Sequence, residues 1–234
     1  MSKQVVLQVS DLFFIYPKTS KQILNGVNLE IYQNEMVSIT GKLGNGKSTL
    51  LRHLNAILKP QIGDVLIKQI SVAENPNRSF HQEVGLLFEN PDDQIFYPVV
   101  SDDIAFGPRN LGLSKNKVYQ RVIEACEQLG ILHLLERETS SLSFGEKTLV
   151  ALAGILAMRN DIILLDSPEI GLDLWTKPDI LKLLHSLKTE HTIVITTNDL
   201  DILRLSDRIF LLWDGKIRDV YNDFSLFKKA MSKY

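Results

Sequence analysis

Residues 41–48 carry the residue types and the spacing that bind phosphate groups. They read Gly-Lys-Leu-Gly-Asn-Gly-Lys-Ser, which fits the pattern G-x-x-x-x-G-K-[ST]. Glycines let successive backbone N–H groups point at one anion, while Lys47 reaches the β- and γ-phosphates and the Ser48 hydroxyl is a ligand for Mg²⁺. The predicted nucleotide-binding residues of this loop are Gly41, Lys42, Leu43, Gly44, Asn45, Gly46, Lys47, Ser48 and Thr49.

A second chemical signal is an aspartate that ends an apolar run. Ile162–Leu165 is followed directly by Asp166. Buried strands often end in an aspartate at a turn, so this pattern alone indicates little. Together with the phosphate-binding loop, it predicts a strand whose carboxylate holds Mg²⁺ through water. The two signals predict that the chain binds a nucleoside triphosphate with magnesium.

The elements around these residues indicate an α/β fold. The apolar run Met36–Thr40 precedes the glycine loop, and the helix-like segment Ser48–Leu58 follows it. Strand, loop and helix in this order open an α/β unit. The segments Val5–Val9, Leu12–Tyr16 and Val27–Ile31 are predicted strands of an antiparallel sheet. Further predicted elements are the strands Gly63–Ile70, Val84–Phe88, Ile162–Leu165, Thr192–Thr196 and Ile209–Trp213, and the helix Lys115–Leu129.

Composition excludes several classes of protein. The 234 residues are 44% hydrophobic and 23% charged, with a net charge of −2, so the chain is neither disordered nor basic enough for a general nucleic-acid binder. Its one cysteine, Cys126, lies in a helix-like pattern and is interpreted as a small apolar residue rather than a reactive thiol. No apolar run approaches the ~20 residues that span a bilayer. We therefore expect a cytoplasmic protein, attached to a membrane only peripherally.

Several further motifs follow one another in a recognisable order. They are Tyr16, Phe88–Gln94, Ala105–Leu113, Leu142–Glu146, Gly171–Asp173 and Thr197–Leu200. Each has a simpler explanation when taken alone: Tyr16 could be a buried strand residue, Ser143 a helix N-cap and Pro91 part of a turn. In this order, the chain resembles the ATP-binding subunits of ABC transporters, specifically cobalt-type and energy-coupling-factor importers.

The resemblance implies a fold and an assembly. It implies a P-loop NTPase domain over 1–234, with a RecA-like core and antiparallel β subdomain in 1–90 and 152–234 and a helical subdomain in 91–151. It also implies ATP and Mg²⁺ as ligands, and a head-to-tail dimer on the inner face of the cell membrane. The membrane partners would be a coupling protein and a substrate-binding component; no nucleic-acid partner is expected. The residues assigned by resemblance are Tyr16 against adenine, Ser48, Glu89 and Asp166 toward Mg²⁺, and Ser143, Phe144, Gly145 and Glu146 facing the partner's nucleotide.

The sequence differs from the family at several of the positions to which the resemblance assigns ATP hydrolysis. The catalytic positions are Lys47, Asp166, Ser167, Asn198 and Glu89. Ser167 replaces a glutamate that polarises the attacking water, and Asn198 replaces a histidine. Glu89 replaces a glutamine, where its charge either tightens metal binding or repels phosphate. Phe144 replaces a glycine and is expected to hinder approach to the partner's γ-phosphate.

These departures predict ATP·Mg²⁺ binding with slow hydrolysis. General-base assistance is typically worth ~10²–10⁴-fold in rate. Glu169 or Glu89 could partly replace the missing carboxylate, although we expect Glu169 to be a solvated turn residue. A heterodimer with a second ATP-binding subunit is favoured over a homodimer. The alternatives are a module that binds ATP without turnover and a small P-loop kinase, which would need an arginine-rich lid.

Overall fold

The computed structural model describes residues 4–17, 19–171 and 177–220, which form two sheets with helices packed on them. The strands are β1 (Val5–Ile15), β2 (Gln22–Tyr32), β3 (Met36–Thr40), β4 (Ile62–Ile67), β5 (Ile70–Ser71), β6 (Val84–Leu87), β7 (Ile162–Asp166), β8 (Thr192–Thr196), β9 (Arg208–Trp213) and β10 (Lys216–Asp219). The helices are α1 (Lys47–Leu54), α2 (Val100–Asn110), α3 (Lys115–Gln128), α4 (Phe144–Met158), α5 (Lys177–Leu187) and α6 (Leu200–Leu205).

The first sheet is antiparallel, in the order β2-β1-β4-β5. The sequence predicted two separate strands in place of β1, and that prediction was wrong. The polar pair Ser10–Asp11 forms a bulge, with Asp11 at a φ of +46°, and pairing with β2 and β4 continues on both sides of it. A bulge changes the register without ending the strand.

The second sheet, in the order β10-β9-β3-β8-β7-β6, is parallel except for β10. All residues of β3, β7 and β8 are buried, as the apolar runs predicted. Because these strands run in one direction, their carboxyl ends meet at one edge. That edge carries the glycine loop after β3, Asp166 at the end of β7 and Asn198 just after β8.

Two hydrophobic cores lie on opposite faces of the parallel sheet. Alternation along β7 sends Ile162 and Leu164 into the core shared with α1 and the antiparallel sheet, and Ile163 and Leu165 into the core shared with α2–α5. Cys126 is fully buried in the helical core, and burial raises the pKa of its thiol to about 11. The interpretation of Cys126 as an apolar core residue is therefore confirmed.

Between β6 and β7 the chain is helical, and α4 packs against both α2 and α3. Helix α4 runs to Met158, so the subdomain boundary expected at residue 151 falls inside it. Helix α1 ends at Leu54, earlier than the sequence predicted, because Ala56 adopts a left-handed conformation with φ of +61°. Within the described ranges, no helix has both the length and the apolar character needed to cross a bilayer.

Candidate nucleotide-binding site

The glycine loop is held against the main chain of β9. Gly41, Gly44 and Gly46 all have positive φ, at +150°, +79° and +93°. A Cβ on Gly41 would lie 2.3 Å from the carbonyl oxygen of Leu212, so only glycine fits there. The Asn45 side-chain amide donates to the same carbonyl oxygen over 3.2 Å. These contacts hold the glycine loop against the main chain of β9.

Lys47 folds back over this loop. Its ammonium donates to the carbonyl oxygens of Gly41 (2.8 Å) and Lys42 (3.4 Å), and the residue is only 9% exposed. Burial lowers the pKa of Lys47, and the carboxylates of Asp166, Glu89 and Glu169 oppose that shift. The lysine is therefore a partly desolvated cation that acidic side chains approach from three segments of the chain.

The acidic groups and Ser48 form an oxygen donor set that fits Mg²⁺. Asp166 is buried at the end of β7, and its Oδ1 accepts a 2.6 Å hydrogen bond from Thr196. Ser48 and the exposed Glu89 both line the adjacent cleft. In the described part of the chain, no group of three His, Cys, Asp or Glu side chains could hold a metal by itself. Mg²⁺ commonly takes one or two protein oxygens and completes its shell with water and phosphate, so these donors suit it.

A cleft of about 490 Å³ unites most of the predicted residues. Its lining consists of Tyr16, Ile23, Leu43, Gly44, Gly46, Lys47, Ser48, Thr49, Glu89, Ser167, Glu169, Ile170 and Asn198. Gly41, Lys42 and Asn45 support this wall through the loop hydrogen bonds, and Asp166 lies behind it on Thr196. The structure thus brings the loop, the strand end and the segment after β8 to one place.

Tyr16 lies just beyond β1, partly exposed at the cleft, so it is not a buried strand tyrosine. Its hydroxyl is 3.1 Å from that of Thr49, and its ring meets Phe14 edge-on with centroids 4.9 Å apart. Phe14 in turn meets the buried His53 of α1 edge-on, at 4.6 Å. These edge-on ring contacts fix the Tyr16 ring beside the glycine loop.

Ser167 and Asn198 are the residues that stand, by the resemblance, where a glutamate and a histidine are expected. Ser167 has a φ of +50°, and its N–H donates to the carbonyl and the hydroxyl oxygens of Thr196, each over 3.0 Å. The Asn198 side-chain oxygen accepts from the hydroxyl of Thr40 (2.8 Å) and from the N–H of Gly41 (3.3 Å). Asn198 therefore ties the segment after β8 to the start of the glycine loop. Thr196, whose hydroxyl contacts both Asp166 and Ser167, was not identified from the sequence.

Glu169 is not the solvated turn residue that the sequence suggested. The left-handed Ser167 starts a turn, closed by the 3.0 Å bond from the Ile170 N–H to the Ser167 carbonyl, which places Glu169 on the cleft wall. Its Oε1 accepts a 2.6 Å hydrogen bond from Thr197, and its Oε2 is buried without a partner. Burial raises the pKa of Glu169. The only sequence signal was an acid in the turn that follows β7.

The segment after β6 is a turn joined to α4. The Asn90 side chain accepts from the N–H of Asp92 over 3.2 Å, which confirms an Asx turn at Pro91. The Gln94 side chain closes the segment by accepting from the N–H of Phe88 (3.1 Å). The carboxylate of Asp92 then pairs with Lys147 of α4 at 2.6 Å. Glu89 is therefore connected through one short turn to the helix that follows Ser143.

The segment 143–146, which the resemblance places against the partner's nucleotide, is here called the signature and lies at the start of α4. It lines a second cleft of about 810 Å³, which shares no lining residue with the first. Ser143 and Glu146 form a reciprocal cap, with the Glu146 N–H donating to Ser143 Oγ (3.2 Å) and the Ser143 N–H to Glu146 Oε2 (2.7 Å). The Phe144 ring packs on Gly171 of its own chain, where an added Cβ would lie 2.3 Å from the ring. Leu172 and Asp173 lie outside the described residues.

Comparison with known proteins gives consistent matches. The family model described as "ABC transporter" matches residues 24–169. The Energy-coupling factor transporter ATP-binding protein EcfA of Methanocaldococcus jannaschii is 42% identical over 235 residues, covering 96% of this chain and 84% of that protein. A putative ABC transporter ATP-binding protein of Methanosarcina mazei is 41% identical over 234 residues, covering 96% and 72%.

Solved structures match as well. The structure of cbiO1 from Clostridium perfringens, part of the ABC transporter complex cbiONQ, has a TM-score of 0.82 and 32% identity, covering 98% of this chain and 93% of that one. A dimeric ATP-binding cassette in a post-hydrolysis state with ADP and Pi has a TM-score of 0.82 and 26% identity, covering 91% and 97%. The predicted P-loop NTPase fold is confirmed. The chain belongs to the ABC transporter ATP-binding family and is an ABC-type ATPase.

Proposed function

We propose that this chain is the energy-coupling subunit of an energy-coupling-factor or cobalt-type importer, binding ATP·Mg²⁺ in the 490 Å³ cleft. The observation that carries the proposal is the convergence of the glycine loop, Ser48, Asp166 and Asn198 at one edge of the parallel sheet. The likeness to an EcfA protein and to cbiO1 supports the choice of importer class.

Within that cleft, phosphate would replace the loop carbonyls as the partner of Lys47. The loop amides would hold the phosphates, since the nest they form favours an anion. Ser48, Glu89 and Asp166, the last through water, would hold Mg²⁺, which when bound neutralises charge on the β- and γ-phosphates. The Tyr16 ring would stack on adenine, because it stands at the cleft already braced by Phe14.

We propose further that two nucleotides are shared between two chains arranged head to tail. Ser143 and the start of α4 line a different cleft from Lys47, so one chain does not bring its own signature to its own nucleotide. A partner chain would supply that surface. A heterodimer is favoured because Ser167 and Asn198 weaken the chemistry at the site this chain builds, whereas a second subunit could retain it.

The membrane partners we propose are a transmembrane coupling protein and a substrate-binding component, with no role for nucleic acid. An aromatic cluster supports the first of these. Phe96 is 61% exposed and meets Phe106 of α2 edge-on at 4.7 Å, with Tyr97 beside them. The cluster follows the turn that the Asp92 ion pair joins to α4. A membrane partner bound at the cluster would therefore move this turn and, with it, Glu89. The chain would lie on the cytoplasmic face of the membrane.

Hydrolysis at this chain's own site is proposed to be slower than at a site with a glutamate at position 167, by at most the ~10²–10⁴-fold that general-base assistance supplies. The Ser167 hydroxyl has no carboxylate and lies 3.4 Å from the Thr196 hydroxyl. The same observation favours a second candidate, a module that associates with a partner when ATP binds and does not hydrolyse it.

The proposal is tested by light scattering with and without ATP·Mg²⁺. Equilibrium ATP binding is measured on the same samples. We expect ATP to promote association between chains, Ser143→Arg to abolish that association, and the matched variant Ser140→Arg, on an exposed neighbour outside the cleft, to leave it intact. Association that Ser143→Arg does not affect contradicts the head-to-tail arrangement, whereas ATP binding without self-association excludes the homodimer and leaves the heterodimer. Association with no detectable ADP release identifies the second candidate.

A further inference from the structure

We infer that Glu169 supplies the carboxylate that position 167 lacks and acts as the general base toward the water that attacks the γ-phosphate. This inference rests on the proposed binding of ATP·Mg²⁺ in the same cleft. It concerns a residue that stands two positions beyond Ser167, and the structure gives three independent reasons for it.

The first reason is position. The left-handed Ser167 and the 3.0 Å bond from the Ile170 N–H to its carbonyl turn the chain back, so Glu169 lines the cleft together with Lys47 and Asn198. Burial lowers the pKa of Lys47, and the negative charge of Glu169 opposes this shift, as the charge of Asp166 does. Glu169 is therefore close to Lys47. Because the lysine of this loop type binds the β- and γ-phosphates, the carboxylate lines the cleft that the γ-phosphate would enter.

The second reason is how the carboxylate is held. Thr197, directly after β8, donates to Oε1 over 2.6 Å, and its hydroxyl oxygen accepts from the Asp199 N–H over 2.9 Å. The orientation of Glu169 is therefore fixed by the segment that also carries Asn198. In contrast, Oε2 is buried and accepts no hydrogen bond from the described residues. A buried acceptor without a hydrogen bond destabilises the fold, and a bound water that donates to Oε2 would remove this cost.

The third reason is chemical. Burial raises the pKa of Glu169, and the nearby Asp199 adds to that shift, while the hydrogen bond from Thr197 opposes it. A carboxylate with a raised pKa is a better proton acceptor than an ordinary glutamate. Two other polar groups of the cleft, among the residues that the structure describes, are already assigned: the Asn198 oxygen accepts from Thr40 and Gly41, and Glu89 is proposed as a magnesium ligand.

The step is balanced with water and ATP alone. The water oxygen forms a bond to the γ-phosphorus, and the bond from that phosphorus to the β,γ-bridging oxygen breaks, its electron pair leaving on ADP. The water proton passes to the Glu169 carboxylate, which releases it to phosphate or solvent after ADP and phosphate form. Lys47 balances charge on the phosphates throughout this step.

The inference is tested by measuring ATP cleavage in a single turnover. The full chain is in excess over ATP, and Mg²⁺ is present. We expect Glu169→Gln to lower the rate about 100-fold while ATP affinity stays within about threefold of wild type. The double variant Ser167→Glu, Glu169→Gln should restore the rate, because the carboxylate then stands at position 167. Glu74→Gln, the same change on an exposed turn outside the cleft, should have no effect.

Two outcomes overturn the inference: a Glu169→Gln rate within twofold of wild type, which includes equal background cleavage by both, or no rescue by the double variant. These outcomes differ from failure of the proposed function. In that case ATP does not bind wild type at all, or it binds equally well to a Lys47→Ala variant. The binding measurement on the same samples separates the two failures.

Discussion

The contact between the glycine loop and β9 predicts that two glycines of one loop respond very differently to the same substitution. Gly41 and Gly44 both have positive φ, at +150° and +79°. A Cβ on Gly41 would lie 2.3 Å from the main-chain oxygen of Leu212, whereas a Cβ on Gly44 meets nothing within 4 Å. We therefore expect Gly41→Ala to destabilise the fold much more than Gly44→Ala.

The magnitude follows from adding two costs. An alanine with positive φ costs about 1–2 kcal/mol at either position. At Gly41, overlap with Leu212 forces β3 and β9 apart, and overpacking of this kind adds about 1–3 kcal/mol. The difference between the variants is therefore about 2 kcal/mol. For a domain of this size, that corresponds to a difference in Tm of about 4–8 °C.

Thermal unfolding of the two variants and wild type measures this difference. Gly112→Ala, which has a φ of +71° and no atom within 4 Å of the added Cβ, is the control for positive φ outside the cleft. Gly44→Ala and Gly112→Ala should lose similar amounts of stability. Equal losses for Gly41→Ala and Gly44→Ala would refute the argument that the loop is held by β9.

Three further predictions concern other parts of the chain. Because burial raises the pKa of Glu169, stability is lost as the pH rises above the ordinary glutamate pKa, and the loss is complete above the raised pKa. Glu169→Gln should therefore raise Tm relative to wild type at about pH 8 and not at about pH 4, and a pH-independent difference contradicts this. Cys126, with a buried thiol of pKa about 11, should react with iodoacetamide only after unfolding; rapid native labelling would disprove it. Gly171→Ala should be less destabilising in a Phe144→Ala background, by about 1 kcal/mol in a double-mutant cycle, whereas additive effects exclude the contact.

Much of the fold was predictable because its signals are local. The parallel strands β3, β7 and β8 are apolar runs buried on both faces, and such runs are visible in any single sequence. The glycine loop is likewise contained in eight consecutive residues, 41–48. The bulge that keeps β1 continuous was not predictable, because it depends on pairing with β2 and β4.

The candidate site was predictable only where chemistry follows from residue type. Lys47, Ser48 and Asp166 were identified from their motifs, and the structure places them together. The prediction that Glu169 is a solvated turn residue was wrong. The direction of its side chain depends on the left-handed backbone of Ser167 and on Thr197, which follows another strand. The Phe144 ring could not be placed because its contact, Gly171, lies far along the chain.

The most direct test of the account is a crystal structure of the chain with Mg²⁺ and a non-hydrolysable ATP analogue. We predict that the β- and γ-phosphates lie against the loop 41–48, that Lys47 Nζ leaves the Gly41 carbonyl for phosphate, and that Glu169 stands beside the γ-phosphate. A nucleotide bound outside this cleft, or a Lys47 that stays on Gly41 when the analogue is bound, would contradict the account.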